Sequence, residues 1–139
     1  MNSIDTQEMH RRIDGASVAR LATVGVDGRP HVVPITFAPT ENALYFAVDQ
    51  KPKKSADLQR LRNIEANPAV SVLVDHYEDD WTRLWWVRVD GRARIIRDGN
   101  ELEMAISMLT ARYTQYRSAR PAGPAVAIAI ERMTGWSAS

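Results

Sequence analysis

The run RLATVGVDGRPHVVPITF, residues 20–37, carries the strongest fold signal in the chain. Residues 18–24 are mainly β-branched and small apolar residues, which predicts a strand. Asp27-Gly28 lies in the turn that follows, and Asp-Gly between two such runs indicates a β-hairpin. Residues 31–37 are the predicted returning strand. Pro34 lies inside it and has no backbone N–H, so we expect one edge of this strand to stay unpaired and open to a ligand.

Four further strands are predicted at residues 43–48, 69–74, 81–96 and 125–130. Within residues 81–96, Gly91 is compatible with a hairpin turn beside Asp90 or with a β-bulge in one long strand. The bulge is favoured because the alternation continues on both sides without other turn residues. Trp85 and Trp86 are neighbours on this strand, so their side chains are expected on opposite faces.

Three helices are predicted, and the last two interrupt the strands. The first begins after Asp5, a candidate N-cap with Glu8 three residues later, and ends at Gly15. The second spans residues 55–67, and the third begins at Asn100, a second candidate cap. Six short strands with two interrupting helices predict a mainly β domain with helices, an antiparallel barrel or sandwich, formed by residues 1–139 as one unit.

Composition excludes several functional classes. The chain has no cysteine and three scattered histidines, so neither a disulfide nor a zinc cluster is predicted. A formal net charge of +1 argues against nucleic acid as the main partner. No apolar run approaches the roughly 18 residues of a membrane span, and the N-terminus lacks a secretory pattern. We therefore expect a cytoplasmic protein with no membrane partner.

The stretch KPKKSADLQRLRNIEANP, residues 51–68, is the candidate anion site. It contains all three lysines of the chain, Lys51, Lys53 and Lys54. They directly precede the second predicted helix, whose first amides lack partners within the helix. Ammonium groups at such a helix start are suited to binding phosphate. The alternative is a solvated charged loop.

Three polar residues of the same helix extend this candidate site. Arg60, Arg62 and Asn63 are predicted to lie off the apolar stripe of the helix. Their side chains are therefore expected to be available to a ligand that the lysines hold.

The order and spacing of these segments resemble a known superfamily. RLATVGVDGRPHVVPITF, LQRLRNIEANPAVSVLVD and LWWVRVDGRA follow one another as in the pyridoxamine-phosphate-oxidase-like split-barrel proteins. Within that superfamily, the chain is most similar to the coenzyme F420 (deazaflavin)-dependent oxidoreductases of the B group. The likeness covers about residues 20–94.

The resemblance implies a six-stranded antiparallel split β-barrel of the FMN-binding type. It also implies a homodimer with two cofactor sites between the copies. The cofactor ring would lie against the returning hairpin strand, at His31, Val33, Pro34, Ile35 and Thr36. The phosphate and ribityl chain would meet Lys51, Lys53, Lys54, Arg60, Arg62 and Asn63. The partner copy would contribute Tyr77, Trp81, Trp86 and Arg88.

The function implied is hydride transfer between reduced F420 and a small organic acceptor. An FMN enzyme of the pyridoxamine phosphate oxidase type is one alternative, and a non-catalytic carrier of F420 or a similar ligand is another. No catalytic acid or base is assigned, because hydride transfer from such a cofactor does not require one from the protein.

Overall fold

The computed structural model describes residues 2–48 and 55–139, and within its second helix it describes side chains from residue 59 onward. The described strands are β1 (Asn2–Ser3), β2 (Ala19–Val24), β3 (Pro30–Ile35), β4 (Ala38–Pro39), β5 (Ala43–Ala47), β6 (Ala69–His76), β7 (Trp85–Ile96) and β8 (Ala125–Ser137). The helices are α1 (Thr6–Gly15), α2 (Ser55–Ala66), α3 (Gly99–Arg112) and α4 (Gln115–Ser118), with a short 3₁₀ turn at Trp81–Arg83.

All strands belong to one curled antiparallel sheet, a half-barrel. The strand order is β3-β2-β6-β7-β8-β5-β4, and β1 pairs with the end of β8. The predicted hairpin is confirmed, since β2 and β3 pair from Ala19 opposite Ile35 to Val24 opposite Pro30. β3 is the terminal strand, and its outer edge has no strand partner among the described residues. The edge position predicted from Pro34 is therefore also confirmed.

The predicted number of six strands is wrong, because the described residues form eight. The two additional strands, β1 and β4, contain two residues each. Such short segments show no alternation that a sequence pattern could reveal. β8 also continues to Ser137, beyond the predicted end at residue 130. The fold class, mainly β with helices, is nonetheless as expected.

The bulge at Gly91 is confirmed. β7 is continuous, and its register against β8 shifts between Asp90, opposite Arg132, and Gly91, opposite Ile130. A Cβ atom on Gly91 would lie 2.3 Å from the backbone oxygen of Ala129. The close approach of the two strands therefore requires glycine at this position.

Helices α1, α2 and α3 pack against strands of the sheet. Asp5 caps α1, and its Oδ1 atom accepts a hydrogen bond from the Glu8 backbone N–H at 2.8 Å, as predicted. α3 begins at Gly99, with Asp98 as its N-cap, so the predicted cap at Asn100 is wrong. Gly99 takes a positive φ of 87°, which glycine adopts without strain. No helix among the described residues is long and apolar enough to cross a membrane.

Candidate functional site

The candidate site lies on the convex, outer face of strands β3, β2, β6 and β7. Strand alternation directs every second side chain of these strands away from the core. Pro34, Arg20, Leu73 and Arg88 follow one another across the four strands in a single row. The next row consists of Val32, Ala22, Ser71 and Asp90.

These rows line an open cleft of about 550 Å³. This volume falls within the range of small-molecule and cofactor sites. The lining side chains are Arg20, Ala22, Val32, Ser71, Leu73, Asp75, Tyr77, Trp86 and Arg88. The cleft thus combines an apolar floor with two arginines and one carboxylate.

An aromatic groove of about 430 Å³ adjoins the cleft and shares Tyr77 and Trp86 with it. Trp136 of β8 lies directly opposite Trp86 in the strand register. The groove is lined by Tyr77, Trp81, Leu84, Trp86, Trp136 and Ala138. The lining contains no carboxylate, basic side chain or histidine, so the groove is suited to an uncharged, flat surface.

Trp85 and Trp86 point to opposite faces, as predicted. Trp85 packs against the core, with the Arg12 guanidinium 4.9 Å from the centre of its ring. Trp86 lines both the cleft and the aromatic groove. Of the two, Trp86 is therefore the one that lines the outer cleft.

A charged cluster borders the cleft at Asp90. The Asp90 carboxylate accepts hydrogen bonds from Ser71 Oγ at 2.7 Å and from Arg132 at 3.0 Å, and it lies 3.3 Å from the Arg88 Nε atom. The Ser71 hydrogen bond and the neighbouring arginines lower the pKa of Asp90. Asp90 therefore stays ionised and keeps Arg88 and Arg132 on this face.

The predicted ring strand presents mainly its backbone to a ligand. Val33 and Ile35 point inward, and Ile35 belongs to the buried core. Pro34 points outward, next to Arg20 in the register. The His31 Nδ1 atom is buried and has no hydrogen-bond partner within residues 2–48 and 59–139. Because His31 pairs with the buried Thr23, its side chain lies on the inner side, and its predicted contact with a ring on the outer face is wrong. The free backbone edge of β3 is thus the polar group that the strand offers.

Two tyrosines hold the end of the ring strand. Thr36 Oγ1 lies 2.7 Å from the hydroxyl oxygen of Tyr116, in a hydrogen bond in which either hydroxyl can donate. The Tyr113 hydroxyl accepts from the Phe37 backbone N–H at 3.1 Å and lies 2.9 Å from the Ser17 carbonyl oxygen. The hydroxyl of Thr36 is therefore already engaged within the chain.

The predicted phosphate residues are only partly described. Lys51, Lys53 and Lys54 lie outside the described residues. The Arg60 guanidinium lies 5.6 Å from the centre of the Phe46 ring, and Arg62 is exposed. The two arginines therefore remain candidates for holding an anion beside α2.

Asn63 lies on the buried face of α2, so its predicted place off the apolar stripe is wrong. The residue is 3% exposed. Its Nδ2 atom donates to Thr23 Oγ1 at 3.0 Å, and its Oδ1 atom accepts from Gln59 Nε2 at 2.8 Å. Because both polar groups of the amide have partners, Asn63 can occupy a buried position at which the helical period predicts an apolar side chain.

Comparison of the sequence with models of protein families relates the chain to known proteins. The model described as pyridoxamine 5'-phosphate oxidase matches residues 5–137. The chain belongs to the pyridoxamine 5'-phosphate oxidase family. A comparison with curated protein sequences finds no significant match.

Solved structures support the family fold. An FAD-binding protein from Mesorhizobium loti is 25% identical, with a TM-score of 0.74 over 96% of this chain and 95% of its own. The FAD-binding protein from Mycobacterium smegmatis is 21% identical, with a TM-score of 0.66 over 97% of both chains. The heme storage protein HutZ from Vibrio cholerae is 19% identical, with a TM-score of 0.71 over 92% of both chains. The fold of this oxidase family is therefore shared by proteins described with different ligands.

Sequence reasoning missed most residues that line the cleft and the groove, among them Arg20, Leu73 and Trp136. Arg20 was detectable, because it is the one charged residue within an otherwise apolar strand. Leu73 lies between the alternating valines of β6, and this pattern also assigns it to the outer face. Trp136 lies beyond the predicted end of β8, so no strand pattern indicated it.

Proposed function

We propose that the chain binds reduced coenzyme F420 on the outer face of β2, β3, β6 and β7 and transfers hydride from it to a small organic acceptor. The observation that carries the proposal is the free edge of β3 beside the cleft that contains Arg20 and Arg88. A flat ring can lie along such an edge and exchange hydrogen bonds with its backbone. The resemblance to the B group of F420-dependent oxidoreductases favours the deazaflavin.

The residues present fit a flat, anionic cofactor. The apolar floor formed by Ala22, Val32 and Leu73 can contact a ring face. Positive charge for a phosphate is available from Arg62, from the exposed Arg20 and from the lysine stretch that precedes α2.

We further propose that a second copy of the chain covers this face. Val32, Tyr77 and Trp81 are 63%, 64% and 76% exposed, which is unusual for large apolar side chains grouped on one surface. Arginines and carboxylates also lie on the face, so two identical copies can pair opposite charges across a two-fold axis. Tyr77, Trp81, Trp86 and Arg88 would then close the partner's site and exclude water.

Within the proposed site, the chain acts by binding and orienting. The reduced cofactor supplies the hydride, and a proton from solvent completes reduction of the acceptor. The β3 backbone would fix the ring, and the cations near α2 would hold the phosphate. The uncharged aromatic groove provides a surface on which a flat acceptor can stack. We place this activity in the cytoplasm.

Two alternatives lead to different outcomes of the same experiment. An FMN enzyme is supported by the family and by the FAD-binding protein from Mesorhizobium loti. A carrier of F420 would use the same site without turnover. The purified protein is first examined for a flavin spectrum and then titrated with F420 and with FMN by fluorescence polarisation. An enone or a quinone is then added with reduced F420, and reoxidation is followed by absorbance.

Binding of F420 with reoxidation by an acceptor supports the proposal. Retained FMN with no affinity for F420 supports the oxidase type instead. Binding of F420 without turnover of any acceptor supports the carrier. A protein that binds neither F420 nor FMN contradicts all three.

The lysine stretch is tested separately by changing Lys53, Lys54 and Arg60 together to Ala. We expect F420 affinity to fall at least about tenfold and the remaining binding to depend less on salt, because charge-assisted contacts are lost. The matched control changes three exposed arginines, Arg11, Arg97 and Arg117, to Ala. Equal affinities of the two triple variants would remove residues 51–60 from the site.

A further inference from the structure

A buried polar contact joins α2 to the hairpin strand β2. Thr23 is 1% exposed and Asn63 is 3% exposed, and the Asn63 Nδ2 atom donates to Thr23 Oγ1 at 3.0 Å. Removing one partner of such a buried hydrogen bond destabilises the folded state, because the remaining polar group then has neither a partner nor access to water. The contact therefore favours one placement of α2 on the sheet.

The other side of the Asn63 amide is also restricted. Gln59 Nε2 donates to Asn63 Oδ1 at 2.8 Å. A Cβ atom built on Gly25, at the start of the hairpin turn, would lie only 2.7 Å from the same Oδ1 atom. Gly25 does not have a positive φ, so its backbone conformation does not require glycine. The space occupied by the Asn63 side chain leaves no room for a larger residue there. The amide thus contacts both β2 and the hairpin turn.

We propose that Asn63 is a positioning residue, which fixes α2 against the β2–β3 hairpin and thereby sets the distance between Arg62, a proposed phosphate-binding residue, and the β3 edge. This inference rests on the proposed function. α2 carries the exposed Arg62 directly before Asn63. β2 pairs with β3 along its full length. A shift of α2 would therefore move Arg62 relative to the strand that holds the ring.

This role differs from direct binding of the cofactor by Asn63. Substitution of Thr23 distinguishes the two roles. The Thr23 side chain is buried on the inner face, so it cannot touch a bound cofactor. A positioning role predicts that loss of the Thr23 hydroxyl weakens binding as loss of the Asn63 amide does. A direct role predicts that only the Asn63 change weakens binding.

The experiment measures F420 affinity by fluorescence polarisation at several salt concentrations for the wild type, Thr23→Val, Thr23→Ser, Asn63→Ala and the double variant Thr23→Val/Asn63→Ala. We expect Thr23→Val and Asn63→Ala each to weaken binding about tenfold and to lower its salt dependence, because Arg62 is displaced. The double variant is expected to bind no more weakly than either single variant. Thr23→Ser, which retains the hydroxyl, is expected to bind as the wild type does.

A stability control separates positioning from general loss of structure. Val126→Ala removes buried core volume on β8, which pairs with neither β2 nor β3, and thermal unfolding is measured for all variants. This variant is expected to unfold earlier but to keep wild-type affinity. Normal affinity of Thr23→Val beside weak binding by Asn63→Ala, or additive effects in the double variant, would overturn the positioning role. A wild type that binds neither F420 nor FMN would overturn the proposed function, and the positioning role with it.

Discussion

The two faces of the same four strands, β2, β3, β6 and β7, differ sharply in chemistry. The inner face is closed and apolar, and Leu21, Val72 and Val87 on it are essentially inaccessible to solvent. The outer face alternates apolar side chains with Arg20, Arg88 and Asp90 and remains open. Stability of the subunit therefore depends on the inner face, whereas the outer face is free to carry binding residues.

Trp85 and Trp86 show the same contrast within two adjacent residues. Trp85 packs inward under Arg12, and Trp86 lines the outer cleft. A shift of the β7 register by one residue would place Trp85 on the outer face and Trp86 on the inner face. Substitutions at paired inner and outer positions can therefore separate folding from binding.

The largest effect is expected from Leu21→Ala on the inner face. Leu21 is completely buried, so its truncation should lower the free energy of unfolding by about 3 kcal/mol. Val32→Ala, on the neighbouring strand but on the outer face, should change it by less than about 0.5 kcal/mol under conditions where the protein is monomeric. Urea denaturation measures both. Similar losses for the two variants would show that the outer face is also part of the monomer's core.

An intermediate effect is expected from Trp86→Ala, measured as F420 affinity and as dimer dissociation. Loss of an aromatic anchor at a binding surface typically costs about 2 kcal/mol, so either affinity or dimer stability should fall about thirtyfold. Trp85→Leu is the matched control, and it should reduce thermal stability while leaving both binding measurements unchanged. A Trp86→Ala dimer that binds F420 normally would exclude this side chain from the interface and the site.

The smallest effect concerns the pH dependence that Asp90 confers. Its pKa is lowered in the folded state, so its stabilising contribution is present above the unfolded pKa and is lost as pH falls through the folded pKa. Ser71→Ala removes the main cause of this shift. The variant should be less stable than the wild type by less than about 1 kcal/mol at neutral pH, with the difference vanishing in acid.

Asp90→Asn provides the control for this effect. In that background, Ser71→Ala should show no pH-dependent difference from its parent, because no carboxylate remains to titrate. A persistent pH dependence in acid denaturation would assign the titration to another group.

The fold was largely predictable because its main signals are local. Asp27-Gly28 indicated the hairpin, Pro34 indicated an edge strand, and continuing alternation around Gly91 indicated a bulge. The two-residue strands β1 and β4 could not be predicted, because they form only through pairing with β8 and β5. The pairing partner, rather than any local pattern, makes these segments strands.

The site was less predictable, because it depends on which residues meet across strands. Tyr77, Trp81 and Trp86 line one groove, and their contribution to a partner's site stays a prediction. Arg20 and Trp136 join this surface only through sheet register. Asn63 was assigned by helical period to an open face. A tertiary hydrogen bond to Thr23, forty positions away, instead places it in the interior.

A crystal structure of the chain with F420 tests the central claim most directly. It is expected to show two copies joined through the outer faces of β2, β3, β6 and β7, with the cofactor ring against the free edge of β3 and the phosphate near the start of α2. A monomer whose outer face is covered by its own side chains, or a cofactor bound away from β3, would contradict the account.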